Sequence, residues 1–150
     1  MLQKLLGRLT ASQAPNSPRV KEALAQLVLA SPEVVRATLV TSTGLLRGSF
    51  PQQAEDRISA MSAAMLSLGE RICSELGSGD LHYTLIAGAK TLQLLVVLNQ
   101  DYALELELRR NTSVGSALDT LRRSVVPLLQ ALEIRDSVVW MATHTTDATT

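Results

Sequence analysis

The stretch Leu39–Phe50, "LVTSTGLLRGSF", decides how the first half of the chain folds, because its two glycines could serve a phosphate-binding loop or a turn. A P-loop requires the pattern Gly-x-x-x-x-Gly-Lys-Ser/Thr, and a dinucleotide-binding loop requires three glycines spaced Gly-x-Gly-x-x-Gly. Gly44 and Gly48 match neither pattern. The residues after Gly44 alternate as a strand does, so we predict a β-hairpin with Gly44 at positive φ in a three-residue loop.

Outward from this hairpin, the periodicity of the apolar residues predicts three helices and five strands. The first helix covers about 18–30, the second ends at about 76, and the last covers about 113–132. The predicted strands cover 34–41, 45–50, 81–87, 91–98 and 102–108. The last three strands should form a meander, and the order of elements indicates an α+β domain with an antiparallel sheet.

The second helix is long and is predicted to have two distinct faces. Ser49 and Gln52 match a capping box at its start, and Gly77 is expected to end it in a left-handed conformation. Large apolar residues recur at helical spacing: Ile58, Met61, Met65, Leu68, Ile72 and Leu76. A neighbouring face carries small residues: Ala60, Ala63, Ala64 and Ser67. We therefore expect this helix to pack against another helix, for instance one from a second chain.

Three local patterns predict details of the other elements. Ser17 followed by Pro18 is typical of an N-cap and the first helical residue. Pro127 lies inside the last helix, where a proline kinks or breaks the helix. Alternation in the first strand predicts one face made of three residues: Val35, Ala37 and Leu39.

The amino-acid totals argue against several classes of function. Lysine plus arginine equals aspartate plus glutamate, 14 against 14, so the chain has no net field to attract nucleic acid or anionic lipid. Aromatic residues make up 3% of the chain, which is too few for a base-stacking platform. No apolar run approaches the roughly 20 residues that a membrane span needs. With the single cysteine Cys73 and no internal disulfide, we expect a cytoplasmic protein.

No residue pattern indicates a catalytic, metal or cofactor site. His82 and His144 are far apart in sequence, and Cys73 has no second ligand at metal-binding spacing. Glu105 and Glu107 share one face of the fifth strand, and we interpret that face as solvated. Two basic doublets could supply an arginine finger to a GTPase, although surface arginines are far commoner: Arg109–Arg110 and Arg122–Arg123.

With the elements in this order, the chain resembles the roadblock (dynein light-chain) family over about residues 18–133. In "ASPEVVRATLVTSTGLLRGS" (30–49), a proline-marked helix end leads into a strand, a polar-polar-Gly turn and a second strand. The helix "ISAMSAAMLSLGERICSELG" (58–77) is similar to the central helix of that family. The meander and the last helix complete the order.

The resemblance implies the order α-β-β-α-β-β-β-α, with a five-stranded antiparallel sheet, the long helix on one face, and a profilin-like shape. It implies a protein without enzymatic activity or cofactor that forms homodimers or heterodimers through the third strand and the central helix, and we expect a homodimer. Its partner would be a small Ras-like GTPase or a signalling complex. We expect an N-terminal arm or short helix at 1–17, the roadblock-like domain at 18–133 and a mostly flexible tail at 134–150.

The third strand gives a physical reason for dimerisation, because its central residues carry no charge or proline that would prevent edge-to-edge pairing. Protection of this edge by His82 and the following loop is the plainer alternative. The predicted interface combines the central helix and this strand: Ile58, Met61, Met65, Leu68, Ile72, His82, Tyr83, Thr84 and Leu85. The rival function is a small-molecule sensor of profilin-like or PAS-like shape, which would need a pocket with convergent polar groups.

Overall fold

The computed structural model describes residues 17–51 and 54–137. Four helices are present in this part of the chain: α1 (Pro18–Ala30), α2 (Asp56–Leu76), α3 (Val114–Ser124) and α4 (Val126–Ala131). Five strands are present: β1 (Val34–Thr41), β2 (Leu46–Phe50), β3 (Tyr83–Ala87), β4 (Thr91–Val97) and β5 (Tyr102–Arg109). Of the expected arm at 1–17 only Ser17 is described, and of the expected tail at 134–150 only residues 134–137 are described. The capping residue Gln52 also lies outside the described residues.

The strands form one antiparallel sheet in the order β2-β1-β5-β4-β3. The β1–β2 hairpin and the β3–β4–β5 meander are both confirmed, and β1 joins them by pairing with β5. This arrangement confirms the α+β class with a five-stranded antiparallel sheet. It leaves β2 and β3 at the two edges.

The sheet is covered on both faces. One face packs against α1, α3 and α4 in a large aliphatic core that includes Leu24, Leu94, Leu104 and Leu121. The other face packs against α2 in a much smaller cluster: Val40, Leu66, Leu95 and Ala103. Among the described helices, α2 is the one that packs on this face, which confirms the predicted position of the long helix on one face of the sheet.

The hairpin formed by β1 and β2 has the predicted geometry at its turn. The Thr41 amide donates to the Leu45 carbonyl at 2.9 Å, which closes a three-residue loop, and Gly44 has a φ of 93°. The Ser59 hydroxyl donates to the Gly44 carbonyl oxygen at 2.9 Å and so ties the hairpin to α2. A β-carbon on Gly44 would lie 3.3 Å from the Ala60 α-carbon, because helix and loop approach closely here. This stretch is thus a structural turn against the central helix.

The predicted capping box at Ser49 is wrong. Ser49 belongs to β2, where its hydroxyl lies 3.0 Å from the Thr38 hydroxyl, and α2 begins only at Asp56 with Glu55 as N-cap. The strand continues through Phe50 because that residue pairs with Ala37 in the sheet. At the other end of α2 the prediction is confirmed, since Gly77 has a φ of 63°.

The remaining local predictions have mixed outcomes. Pro18 opens α1, but the Ser17 side chain makes no capping hydrogen bond. The helix break near Pro127 is confirmed, because α3 ends at Ser124 and α4 begins at Val126. The predicted face of β1 is wrong at one position. A β-bulge shifts the alternation so that Val34, rather than Val35, joins the core.

Candidate functional site

Helix α2 turns two serines and one leucine toward the sheet and leaves most of its other bulky apolar residues exposed. The buried residues of α2 are Ser59, Ser62 and Leu66. The Ser62 hydroxyl lies 2.5 Å from a carboxylate oxygen of Glu105 on β5, so it donates to that charge from the helix. We call the five α2 residues of the predicted interface the apolar stripe: Ile58, Met61, Met65, Leu68 and Ile72. Because serines occupy the sheet-facing side, much of this stripe remains uncovered by the rest of the described chain.

The exposure of the apolar stripe is large for side chains of this type. Met61 is 64% exposed, Leu68 54% and Ile72 49%, whereas Ile58 and Met65 are half-buried. Leu76, at the next helical position, is 74% exposed. Contiguous exposed apolar surface of this kind usually marks an interaction site.

Strand β3 lies at the edge of the sheet beside the C-terminal part of α2. A β-carbon on Gly69 of α2 would lie 3.0 Å from the Leu81 side chain and 3.2 Å from that of Thr84, so helix and strand are in close contact. Tyr83 and Leu85 on β3 are exposed, and no described strand pairs with the outer edge of β3. The edge and the apolar stripe are therefore neighbours.

The structure places the predicted interface residues on α2 and β3 but on two faces of the sheet. Tyr83 and Leu85 pair with residues of the large core and therefore face away from α2. Four other predicted interface residues are also exposed: Met61, Leu68, Ile72 and His82. Three are half-buried: Ile58, Met65 and Thr84. Sequence reasoning left Ile86 out of this set, although it is exposed on the same strand. Ile86 pairs with Gln93 and so faces the side of the sheet that α2 covers, whereas Tyr83 and Leu85 face the other side.

A groove of about 390 Å³ lies between the N-terminal half of α2 and the part of the sheet that α2 leaves uncovered. We call it the helix–sheet groove. Its apolar walls come from α2 and the sheet: Ala54, Ile58, Met61, Met65, Ile86 and Leu95. Its polar floor comes from the sheet, with Ser62 added by α2: Arg36, Thr38, Gln93, Glu105 and Glu107. Met61 and Ile86 belong both to this groove and to the exposed surface of α2 and β3.

The interpretation of Glu105 and Glu107 as a solvated outer face is wrong. Both carboxylates are half-buried and line the helix–sheet groove, because α2 lies over their face of β5. Glu107 is flanked by Arg36 on β1, whose Nε lies 3.8 Å from its Oε2, and by Gln93 on β4. The polar residues of β5 therefore have a place in the candidate site.

The described cysteine and the arginine doublets, which could in principle take part in catalysis or binding, do not lie together in one site. Cys73 is half-buried with a free thiol, and within 17–51 and 54–137 no group of three or more His, Cys, Asp or Glu side chains is placed to hold a metal ion. Two of the doublet arginines make structural contacts. Arg109 donates to the Pro32 carbonyl at 3.0 Å, and Arg122 donates to Asp119 at 2.8 Å. His144 lies outside the described residues, and no described helix is long and apolar enough to cross a membrane.

Comparison with known proteins gives a family match and several similar folds. The sequence model of the Roadblock/LC7 domain matches residues 20–104. The structure is similar to Myxococcus xanthus MglB, with a TM-score of 0.68 and 15% identity over 79% of this chain and 98% of that one. It is also similar to a Roadblock/LC7 domain from Streptomyces avermitilis, with a TM-score of 0.65 and 20% identity over 73% of this chain and 97% of that one.

A profilin from Schizosaccharomyces pombe is a more distant structural neighbour. Its TM-score is 0.53, with 13% identity over 75% of this chain and 97% of that one. The predicted profilin-like arrangement is confirmed at the level of fold. No curated protein sequence matches this chain.

Proposed function

This chain belongs to the Roadblock/LC7 domain family, and from that premise we propose that it is a non-enzymatic homodimer that regulates or scaffolds a small Ras-like GTPase or a signalling complex. The observation that carries the proposal is the exposed apolar stripe of α2 lying beside the unpaired edge of β3. The predicted interface residues on both elements supply the dimer contact. The paired α2 helices then present a surface to the partner.

The dimer has a clear physical driving force. Fully burying a Leu, Ile or Met side chain stabilises a protein by about 1.5–3 kcal/mol. Leu68 and Ile72 are about half exposed, so each would contribute roughly 1 kcal/mol when a second copy covers them. Pairing of the two β3 edges would add main-chain hydrogen bonds and would remove an edge that invites aggregation.

Regulation of a GTPase is the role that the roadblock resemblance implies, and the surface of α2 is suited to it. Contacts made by a helical surface can reshape the residues of a GTPase without an arginine finger. Of the doublet arginines, Arg109 and Arg122 already have structural contacts, which supports a role that does not depend on them.

The test uses a panel of purified Ras-like GTPases, each loaded with GDP or with a non-hydrolysable GTP analogue, and biolayer interferometry with the full chain immobilised. We expect the Kd values for the two nucleotide states to differ by about tenfold or more, in the range typical of coupled binding. Equal Kd values for both nucleotide states would indicate a passive scaffold instead of a regulator. No binding to either state would contradict the proposal that the partner is a small Ras-like GTPase.

The small-molecule sensor is the less favoured reading. It needs a pocket that buries most of a ligand, with a few convergent polar groups. The helix–sheet groove has polar groups, but two of its lining residues, Met61 and Ile86, are themselves exposed to solvent. A groove with exposed walls fits a macromolecular partner better than an enclosed ligand.

A further inference from the structure

We propose that the segment Val138–Met141, "VVWM", docks into a cleft at the C-terminal end of α2 of its own chain. The proposal goes beyond the homodimer and the GTPase, and it depends on neither. It rests on the lining of this cleft, on the buried residue at which the described chain reaches it, and on the apolar residues that come next in the sequence.

The cleft has a volume of about 1060 Å³ and lies between α2 and the segment that follows α4. We call it the α2 end cleft. Four parts of the chain line it: the end of α2 between Glu70 and Gly77, the loop before β3, the turn between β4 and β5, and residues 133–136. None of these lining residues belongs to the predicted dimer interface, so the homodimer does not need this surface.

The lining of the α2 end cleft combines apolar side chains with an excess of carboxylates. Leu81, Val97 and Ile134 are each half-buried, so part of their apolar surface is uncovered. Leu81 and Val97 pack against the small cluster under α2, whereas Ile134 packs against the large core on the other face of the sheet. Four carboxylates and one guanidinium complete the charges of the lining: Glu70, Asp80, Glu133, Asp136 and Arg135.

The chain reaches this cleft directly after α4. Glu133 has a φ of 56°, and the Ile134 amide donates to the Leu129 carbonyl at 2.9 Å, which ends α4 in a Schellman turn. Residues 133–136 then line the cleft, and Ser137 is fully buried. Because consecutive α-carbons are about 3.8 Å apart, Val138 starts beside a buried residue and not out in solvent.

The residues that follow Ser137 suit this lining. Val138–Met141 is a run of four apolar residues, and no acidic residue occurs before Asp147 to be repelled by the carboxylates of the cleft. Trp140 offers a large apolar ring together with an N–H group that can donate to a carboxylate. Full burial of even one large apolar side chain would favour the docked state by about tenfold or more.

A segment of the same chain has an advantage over a separate molecule as occupant of the cleft. Its attachment to Ser137 holds it at high effective concentration beside the lining residues. A separate partner would have to lose its translational and rotational freedom to bind there. We therefore commit to Val138–Met141, and we treat a second copy or another apolar partner as an outcome of the test.

The first experiment measures the fluorescence of Trp140, which is the single tryptophan of the full chain. The emission maximum and the acrylamide quenching constant are measured for the wild type, for Ser74→Arg and for the matched control Ser78→Arg. Both serines are exposed and lie close together in sequence, but Ser74 lines the cleft and Ser78 does not. Circular dichroism checks that both variants are folded.

We expect the wild type to emit at shorter wavelength than the urea-unfolded chain, with a quenching constant several-fold lower. Ser74→Arg should shift the emission to longer wavelength and raise the quenching constant, because its long charged side chain occupies the cleft, while Ser78→Arg leaves both values unchanged. A solvent-exposed Trp140 in the wild type would leave the cleft to a separate molecule and would overturn the proposal. Equal effects of the two substitutions would overturn it as well.

A second experiment identifies the chain that supplies the occupant. Cys73 lines the cleft and is the single cysteine, so a cysteine introduced into the segment can form a disulfide with it. Four full-length variants are oxidised, separated by non-reducing electrophoresis and mapped by mass spectrometry: Val138→Cys, Val139→Cys, Trp140→Cys and Met141→Cys.

We expect at least one of these cysteines to pair with Cys73 of its own chain. Neighbouring positions should differ strongly in rate, because a disulfide requires its two β-carbons within about 4.5 Å of each other. Pairing with Cys73 of a second chain would mean that a second copy fills the cleft. That result, equal rates at all four positions, or no disulfide to Cys73 from any of them would overturn the proposal.

Discussion

At Gly44 a single residue determines how the first hairpin meets the central helix. Its φ of 93° is open to glycine but strained for residues with a β-carbon, and its carbonyl accepts the Ser59 hydroxyl at 2.9 Å. The space above it is also limited, because a β-carbon would lie 3.3 Å from the Ala60 α-carbon. Backbone conformation and close approach therefore both require glycine here.

The first prediction compares Gly44→Ala with Gly79→Ala. Gly79 also has a positive φ, of 84°, but a β-carbon there meets nothing within 4 Å. We expect Gly79→Ala to lower the free energy of unfolding by about 1 kcal/mol and Gly44→Ala by about 2–3 kcal/mol, since only the latter adds a clash to the strain. Urea denaturation monitored by circular dichroism measures the free energy of unfolding of both variants. Equal decreases in the two variants would contradict the close approach of hairpin and helix.

Local sequence patterns predicted the conformation of Gly44 but not the surroundings of every polar residue. The Ser49 capping box matched a real motif, yet Phe50 pairs with Ala37 and keeps Ser49 in the sheet. Alternation correctly put Glu105 on the face opposite the core, but it could not tell that α2 covers that face. A periodic pattern reports which residues share a face, and only tertiary contacts decide what lies over it.

At the scale of elements, the helices and strands were predictable because their apolar periodicity is strong and prolines and glycines mark their ends. The break before α4 followed from Pro127, and the end of α2 from Gly77. The rotation of α2 was less predictable, because a bulky stripe normally faces the protein's own core. Here Ser59 and Ser62 face the sheet, and most of the apolar stripe is exposed.

The second prediction follows from this orientation of α2. We expect the substitution Leu68→Asp to abolish the homodimer. Leu68 is 54% exposed, so the substitution should change the free energy of unfolding of the subunit itself by only about 0.5 kcal/mol. In the dimer it would bury an unpaired charge, which is strongly unfavourable. We expect light scattering to give the single-chain mass for this variant at micromolar concentration.

The matched control is Leu29→Asp, which makes the same change at an exposed leucine of α1, on the opposite face of the sheet from α2. It should keep the mass of the wild type. If both variants behave alike, the apolar stripe is not the interface, and the dimer contact must be sought elsewhere.

At the scale of the whole molecule, the two edges of the sheet differ in how they are protected. The β2 edge carries Arg47 and is followed by Pro51, both of which discourage pairing with another strand. The β3 edge has neither, and it lies beside the apolar stripe. The pairing of β1 with β5, which sets these edges, joins segments far apart in sequence, and the family resemblance rather than periodicity predicted a single five-stranded sheet.

The homodimer is tested most directly by measuring the mass of the full wild-type chain with light scattering coupled to size exclusion at micromolar concentration. The exposed apolar stripe and the open β3 edge predict a mass twice the 16.2 kDa of one chain. A mass equal to one chain would contradict the homodimer, and with it the partner surface formed by paired α2 helices.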